Sequence, residues 1–343
     1  MRRYIFKRII FIPLTFFGIT FIIFSAVNLL PAQILATAYT SSDKELSKQE
    51  IENIIKRYGL DKGFVSRYIS WFSRAFKGDL GYSHAAKMSV VDAFRVYLPA
   101  TFELALFAVI PIFIIGNWLG LRSALKKGSL FDKVVQSTST FFYSLPSFVI
   151  GIILLYIFYG ILGVFKPQRY SVETEILIST GQFVRYSGFM ILDSILNLNF
   201  KVLIDCLFHI LGPSLAIFIG TSAVFIKITR ISTLDELGKD YVRTLKAKGL
   251  EEDYIMREHI RKNILIPQIT VGGLQLIRLL SGVVIVETVF DWPGIGSWGV
   301  KSARQLDISG IMGFSMLVAL LFLIGNLIVD ILYAYVDPRI RYE

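Results

Sequence analysis

The sequence predicts an all-α polytopic membrane protein with six transmembrane helices and an extracytoplasmic helical cap. Of its 343 residues 54% are hydrophobic and only 18% charged. The apolar residues gather in runs of about 20, the length of helix that crosses a hydrocarbon core. Charges fall between those runs rather than along one face. A net charge of +10 in a soluble protein would point to nucleic acid, but no soluble basic domain presents such a patch. The excess positive charge reads as topology.

The first eight residues carry Arg2, Arg3, Lys7 and Arg8, and an uncharged run from Ile9 to Leu30 follows. That run is too long for a signal-peptide core and lacks a small-residue cleavage site, so it predicts a retained first span with a cytoplasmic N-terminus. Five further spans are predicted at Ala100–Leu121, Val135–Phe165, Cys206–Ile226, Leu265–Phe290 and Ile311–Tyr333. Six spans return the C-terminus to the cytoplasm. Arg122, Lys126, Lys127 and Lys133 after span two, and Arg339 and Arg341 after span six, then lie inside.

The segment Pro31–Pro99 is predicted outside although it holds ten Lys or Arg. Loops this long translocate largely regardless of charge, and seven acids are interspersed. Within it Ser47 and Glu50 form a capping-box pattern, and Ile51, Ile54, Ile55 and Tyr58 form one helical stripe. A second amphipathic stretch, Phe64–Phe76, presents Tyr68, Trp71, Phe72 and Phe76. Such a cap either gathers substrate or packs as a lid over the span ends. The second outside loop, Lys166–Asp205, holds a weaker run at Phe189–Leu198. The chain thus divides into residues 1–30, the helical loop 31–99, and a core 100–343 with cytoplasmic helices at 227–264.

Several chemistries find no support. Cys206 is the single cysteine and opens an apolar run, as a buried inert thiol would. His84, His209 and His259 show no metal-ligand spacing. No nucleophile sits beside a base, and no Gly-x-x-x-x-Gly-Lys-Ser/Thr sequence occurs. An ion-driven carrier needs intramembrane carboxylates, and predicted spans one, three and four contain none.

The densest charge cluster, Lys227–Lys262, holds nine Lys or Arg and seven acids. A solvated face would account for that count, but not for the arrangement. One helical pattern ends at Gly249, where glycine permits the left-handed conformation that stops a helix. A second begins at Leu250. Leu245, Ala247 and Leu250 form a small apolar knob ringed by charge, suited to insertion in a groove of another protein.

These residues carry a resemblance. Tyr241-Val-Arg-Thr-Leu-Lys-Ala-Lys-Gly-Leu250, with Arg261-Lys-Asn-Ile-Leu-Ile-Pro267, resembles the coupling-loop signature of ABC-importer permeases, in the variant of the dipeptide and oligopeptide permease family. Gly59-Leu-Asp61, Gly78-Asp-Leu-Gly-Tyr-Ser83 and Leu98-Pro-Ala-Thr-Phe-Glu-Leu-Ala105 resemble the same family. So do Val286-Glu-Thr-Val-Phe290, Trp292-Pro-Gly-Ile-Gly296 and Asp337-Pro-Arg-Ile-Arg-Tyr342. The B-type subunit, with its long first outside loop, is the closer match. After Leu30-Pro31 this chain reads Ala-Gln-Ile where the family usually has a Gly-Asp-Pro-like turn, and Ser171–Asn199 is longer than in many members.

The resemblance implies a type I ABC-importer fold in a prokaryotic plasma membrane, pairing with a homologous C-type permease. It further implies two separate ATPase subunits holding ATP and Mg, and an extracytoplasmic substrate-binding protein. Peptide is the implied cargo, with oligosaccharides or nickel complexes as alternatives. Carried onto this sequence, Gly249 turns the chain, and Ala247 and Leu250 enter the ATPase groove. Tyr241, Arg243, Lys248, Glu251 and Asp253 fix orientation, and Pro267 starts span five.

Within the spans, Arg278 lies near the middle of span five with Gln275 one turn before it, while Glu287 and Glu103 lie nearer span ends. An intramembrane arginine should face the interior or a water-filled passage. It either meets substrate carboxylates or closes an internal pair. Gly116 and Gly120 have the spacing of a close helix contact. Pro111 and Pro146 are candidate kinks. The segment Asp291–Gly299 is either an outer gate or an interfacial turn anchored by Trp292 and Trp298.

Overall fold

In hydrocarbon no water is available to the backbone, so amide groups must be satisfied within helices. The computed structural model, which describes residues 2–37, 47–164, 166–280 and 283–336, is built accordingly. Among the described residues four helices are long and apolar enough to cross a membrane. They are α1 (Arg2–Val27), α5 (Val90–Leu125), α10 (Phe200–Leu237) and α16 (Ile308–Val336). α5 and α10 hold 36 and 38 residues. At about 1.5 Å per residue they far exceed a core of about 30 Å. The predicted spans Ala100–Leu121 and Cys206–Ile226 are therefore interior windows of longer rods. Pro111 leaves α5 unbroken.

The third predicted span is not one helix. It is α6 (Leu130–Ser144) followed by α7 (Ser147–Leu154) and a π turn at Leu155–Ile161, bent by 99° at the break. Pro146 is the cause. A proline drives the residue before it out of the helical region, and Leu145 is extended at φ −85°, ψ 132°. The place of span five is taken by α13 (Arg261–Leu280) and α14 (Val284–Val289), on either side of residues 281–282.

The rods meet through small residues. Gly116 of α5 lies under the Phe225 ring of α10, and a Cβ on Gly120 would come within 2.7 Å of the Ile226 carbonyl oxygen. α13 fits between α5 and α16, with Gly272 against Phe113 and Gly273 against Val329. Without a solvent-driven hydrophobic effect between lipid-bathed helices, such close approach is what holds them.

Outside the rods lie α2 (Ala32–Thr37), α3 (Lys48–Tyr58) and α4 (Phe64–Phe76). α3 opens with the Ser47–Glu50 capping box and ends at Gly59, φ 64°. The Tyr58 side chain, the side chains at positions 2–9 and the closing 337–342 motif lie outside the described residues. α4 lays Tyr68 and Trp71 on Phe17, Phe21 and Phe24 of α1, with the Tyr68 hydroxyl donating to the Phe17 carbonyl at 3.1 Å. Val65, Ile69 and Phe76 face outward. The short pair β1 (Tyr82–Ser83) and β2 (Met88–Ser89) precedes α5. The loop Lys166–Asp205 carries α8 (Val172–Ser179) and α9 (Met190–Leu196), and Cys206 is buried against it beside Phe183, Met190 and Val202.

The α5–α10 seam gives a direct test. A methyl at Gly120 would overlap backbone, and overpacking of this kind costs about 1–3 kcal/mol. Gly120→Ala should lower the melting temperature of the solubilised protein. Gly18→Ala, with nothing within 4 Å of the added methyl, should leave it unchanged. Equal melting of the two variants would contradict the seam.

Candidate coupling site

α10 runs on from the apolar layer to Leu237, and α11 (Asp240–Ala247) follows after a two-residue turn. α11 stops where Gly249 takes φ 81°. Its N–H bonds the Lys246 carbonyl at 2.9 Å, and the Leu250 N–H bonds the Leu245 carbonyl at 3.3 Å. This is a Schellman stop, which a glycine in the left-handed region allows without strain. The next helix, α12 (Glu252–Ile255), begins two residues later than the pattern predicts, because Leu250 is used in the stop and Glu251 is extended. A π turn at Met256–Ile260 joins α12 to α13.

Pro267 does not start the fifth span. It lies inside α13, which is already helical from Arg261. The proline leaves the Asn263 carbonyl without its helical bond, a defect that membrane helices tolerate.

The turn has two faces. Val242, Ile255, Ile260 and Ile264 are buried together, with Tyr241, Leu245 and Leu121 packed against them. Leu245 therefore anchors the turn inward and is not part of an outward knob, being three positions beyond Val242 on the same stripe of α11. Arg243, Ala247, Lys248, Gly249, Leu250, Glu251 and Asp253 are exposed. The space around Gly249 is open, with nothing within 4 Å of an added Cβ. Lys246 and Glu252 pair across the turn at 2.5 Å, and that hydrogen bond holds the Glu252 carboxyl below its usual range.

Glu236, buried at the end of α10, ties the pieces together. It accepts from the Tyr241 hydroxyl at 2.7 Å and from the Asn263 amide at 3.1 Å, and it pairs with Lys239. Burial, then the bond to Glu236, pushes the Tyr241 hydroxyl up to about 12. Tyr241 thus orients the turn from within the chain. A buried ion pair lies nearby. Arg230 of α10 grips Asp132 of α6 with two bonds of 2.8 and 2.9 Å, and Ser123, the Gly128 N–H and the Gln136 amide also donate to the carboxylate.

Sequence reasoning passed over these groups. Glu236 was one acid among seven, and Asn263 one residue of a motif. Asp132 had a legible signal, the Ser129-x-x-Asp132 cap pattern, and Ser129 does accept from its N–H at 3.3 Å.

Of the membrane residues, Gln275 is half-buried and Arg278 exposed. Among the described residues Arg278 has no bonded partner. Glu287 is enclosed: it accepts from the Thr101 hydroxyl at 2.7 Å and the Ser297 N–H at 2.9 Å, and the chain at Gly294 and Gly296 passes too close for any side chain. Glu103 is paired with Arg169 at 2.6 Å. Trp292 and Trp298 are both about 1% exposed, so they are core residues and not interfacial anchors. A buried relay links three rods, with Gln268 of α13 donating to Asn117 of α5 at 2.9 Å and to Thr229 of α10 at 3.0 Å.

Comparison with known proteins adds four findings. A family model described as binding-protein-dependent transport system inner membrane component matches residues 116–342. The chain is 34% identical to the di/tripeptide transport system permease protein DppB of Pseudomonas aeruginosa (strain UCBPP-PA14), covering all of both chains. It is 35% identical to the probable D,D-dipeptide transport system permease protein DdpB of Escherichia coli (strain K12), over 94% of this chain and 92% of that one. It is 32% identical to the oligopeptide transport system permease protein AppB of Bacillus subtilis (strain 168), again over the whole of both.

The brace generates a pH prediction. The neutral Tyr241 hydroxyl is the form that bonds, so its contribution is full below its ordinary value of 10.0 and is lost as pH rises through about 12. The protection factors of α11 amides, exchange rates corrected for their intrinsic base catalysis, should fall across that window in the wild type and not in Tyr241→Phe. Glu236→Ala, which leaves three donors without their acceptor at about 1–3 kcal/mol, should raise exchange in α11 already at neutral pH. Unchanged exchange in Glu236→Ala would refute the brace.

Proposed function

The chain belongs to the family of binding-protein-dependent transport system inner membrane components, and from that premise we propose that it is the peptide-carrying permease half of an ATP-driven importer. Its exposed turn at Ala247–Leu250 docks a separate ATPase. The observation that carries this reading is the two-faced turn. Its outer face offers small residues and charge with open space, and its inner face is fixed to α10, α12 and α13. A loop that served only to connect spans would have no reason to be both bare at the tip and braced behind it. ATP and Mg are held by the ATPase subunits, and the permease converts their closure into movement of its rods.

A second, homologous permease completes the passage. Arg278 supports this, since an arginine at mid-membrane costs about 2.5–3.5 kcal/mol on insertion scales and finds no partner among the described residues. It must face another protein surface or water, with Gln275 one turn away. Glu287, enclosed by its own loop, braces the outer end rather than lining the passage. The cap and the Lys166–Asp205 loop lie on the side where a substrate-binding protein delivers cargo, and both termini are cytoplasmic. The names of these relatives, all peptide permeases, support a peptide cargo.

Two measurements test this. Ala247→Glu and Gly249→Arg should abolish co-purification of the ATPase and ATP-dependent dipeptide uptake while the permease melts as before; retained association and uptake would refute the docking assignment. In a Cys206→Ala background, Arg278→Cys should react with a water-soluble thiol reagent in the ATP-free complex and be protected on ATP addition. Absence of labelling in every state would remove Arg278 from the passage.

A further inference from the structure

A cavity of about 580 Å³ opens at the outer end of the chain, lined by the 168–175 segment, the turn after α14, and α15 (Ile295–Arg304). That volume lies in the range of small-ligand sites, about 300–1,000 Å³. Its lining carries both signs of charge. On α15, Ser297, Lys301 and Arg304 recur at intervals of four and three, so they form one stripe, and all three line the cavity. Ser302 of α15 is buried. Glu175 and Asp291 line the same cavity.

None of Glu175, Asp291, Lys301 and Arg304 makes an ion pair among the described residues. The neighbouring charges are already committed: Arg169 to Glu103 and Glu287 to Thr101 and Ser297. Opposite charges thus face one cavity without meeting. Two non-glycine residues held in the left-handed region, Gln168 at φ 78° and Asp291 at φ 49°, also line it. Backbone strain of this kind gathers at ligand clamps, and here the Gln168 N–H is fastened to the Phe290 carbonyl at 2.7 Å. Tyr97 and Tyr170 add aromatic surface.

We propose that this cavity binds a short peptide with free termini, its carboxylate on the Lys301 and Arg304 wall and its ammonium on the Glu175 and Asp291 wall. The site is a receiving station on the outer side, distinct from the passage at Arg278. The inference rests on the peptide reading for its cargo class.

The test uses the assembled complex of both permeases and the ATPases in nanodiscs, without binding protein, and measures trialanine binding by saturation-transfer NMR. Wild-type complex should bind trialanine, and Lys301→Glu with Arg304→Glu should weaken binding at least fivefold. Amidated trialanine should bind weakly to the wild type and be indifferent to that change. Glu175→Gln with Asp291→Asn should instead erase the preference for trialanine over its N-acetylated form. Both pairs are exposed, so the complex should melt unchanged. No wild-type binding, equal binding of blocked peptides, or unaltered binding in both variants would overturn the site. Loss of binding-protein-stimulated ATPase activity with trialanine binding intact would also overturn it, marking the surface as a docking face for the binding protein. Uptake of trialanine by the complete system, measured alongside, tests the peptide reading separately. The cavity can fail while uptake by the wild type proceeds, and uptake can fail while the cavity binds.

Discussion

For its proposed docking role the turn must transmit a push without giving way, and here that depends on Glu236. One carboxylate at the end of α10 holds the Tyr241 hydroxyl of α11 and the Asn263 amide of α13, with Lys239 beside it. Charge-assisted hydrogen bonds are about twice as strong as neutral ones, and burial behind Val242, Ile255, Ile260 and Ile264 keeps water from competing. The exposed tip from Ala247 to Leu250 can be bare because everything behind it is fixed. Small exposed residues with nothing behind them would fold away from a partner instead of entering it.

The same economy governs the membrane layer. Buried polar groups are expensive there unless paired, and the pairs in this chain are also its helix-to-helix fasteners. Gln268 joins α13 to α5 and α10. Arg230 and Asp132 join α10 to α6. Thr101 joins α5 to the Glu287 turn, accepting the Ile295 N–H at 2.8 Å while it donates to the carboxylate. Against that background Arg278, without a bonded partner among the described residues, is informative because its neighbours are satisfied.

The first, second, fourth and sixth predicted spans, each a single helix, and the capping box of α3 were legible in the sequence because they are local patterns of about 20 and four residues. So was the Gly116–Gly120 seam, which needs only spacing. The helix–glycine–helix turn was legible as a pattern, but its inward and outward sides were not: Leu245 and Leu250 are both apolar, and only packing separates them. The break after Ser144 was visible as Pro146, yet a 99° bend is set by what α6 and α7 each pack against. Least legible were contacts between distant motifs. The runs Leu98–Ala105 and Val286–Gly296 stood out separately, and only the fold shows why. Trp292 donates to the Ala100 carbonyl at 3.0 Å, Thr101 bonds Glu287, and the glycines make room for that carboxylate.

These fasteners also decide which parts can move relative to one another. α5, α10 and α13 share the Gln268 relay and close glycine contacts, so a push at the turn moves them as one body. α6 is fixed to that body at its start through Asp132 but parts from α7 at Pro146, where no helical bond crosses the bend to resist rotation. Helix breaks of this kind concentrate rotation in a few dihedrals. On the proposed coupling role, closure at the turn would be carried along α10 and α13 and taken up at the α6–α7 bend. The end held by Glu287 and Trp292 would follow as a unit, its cavity changing position without being taken apart.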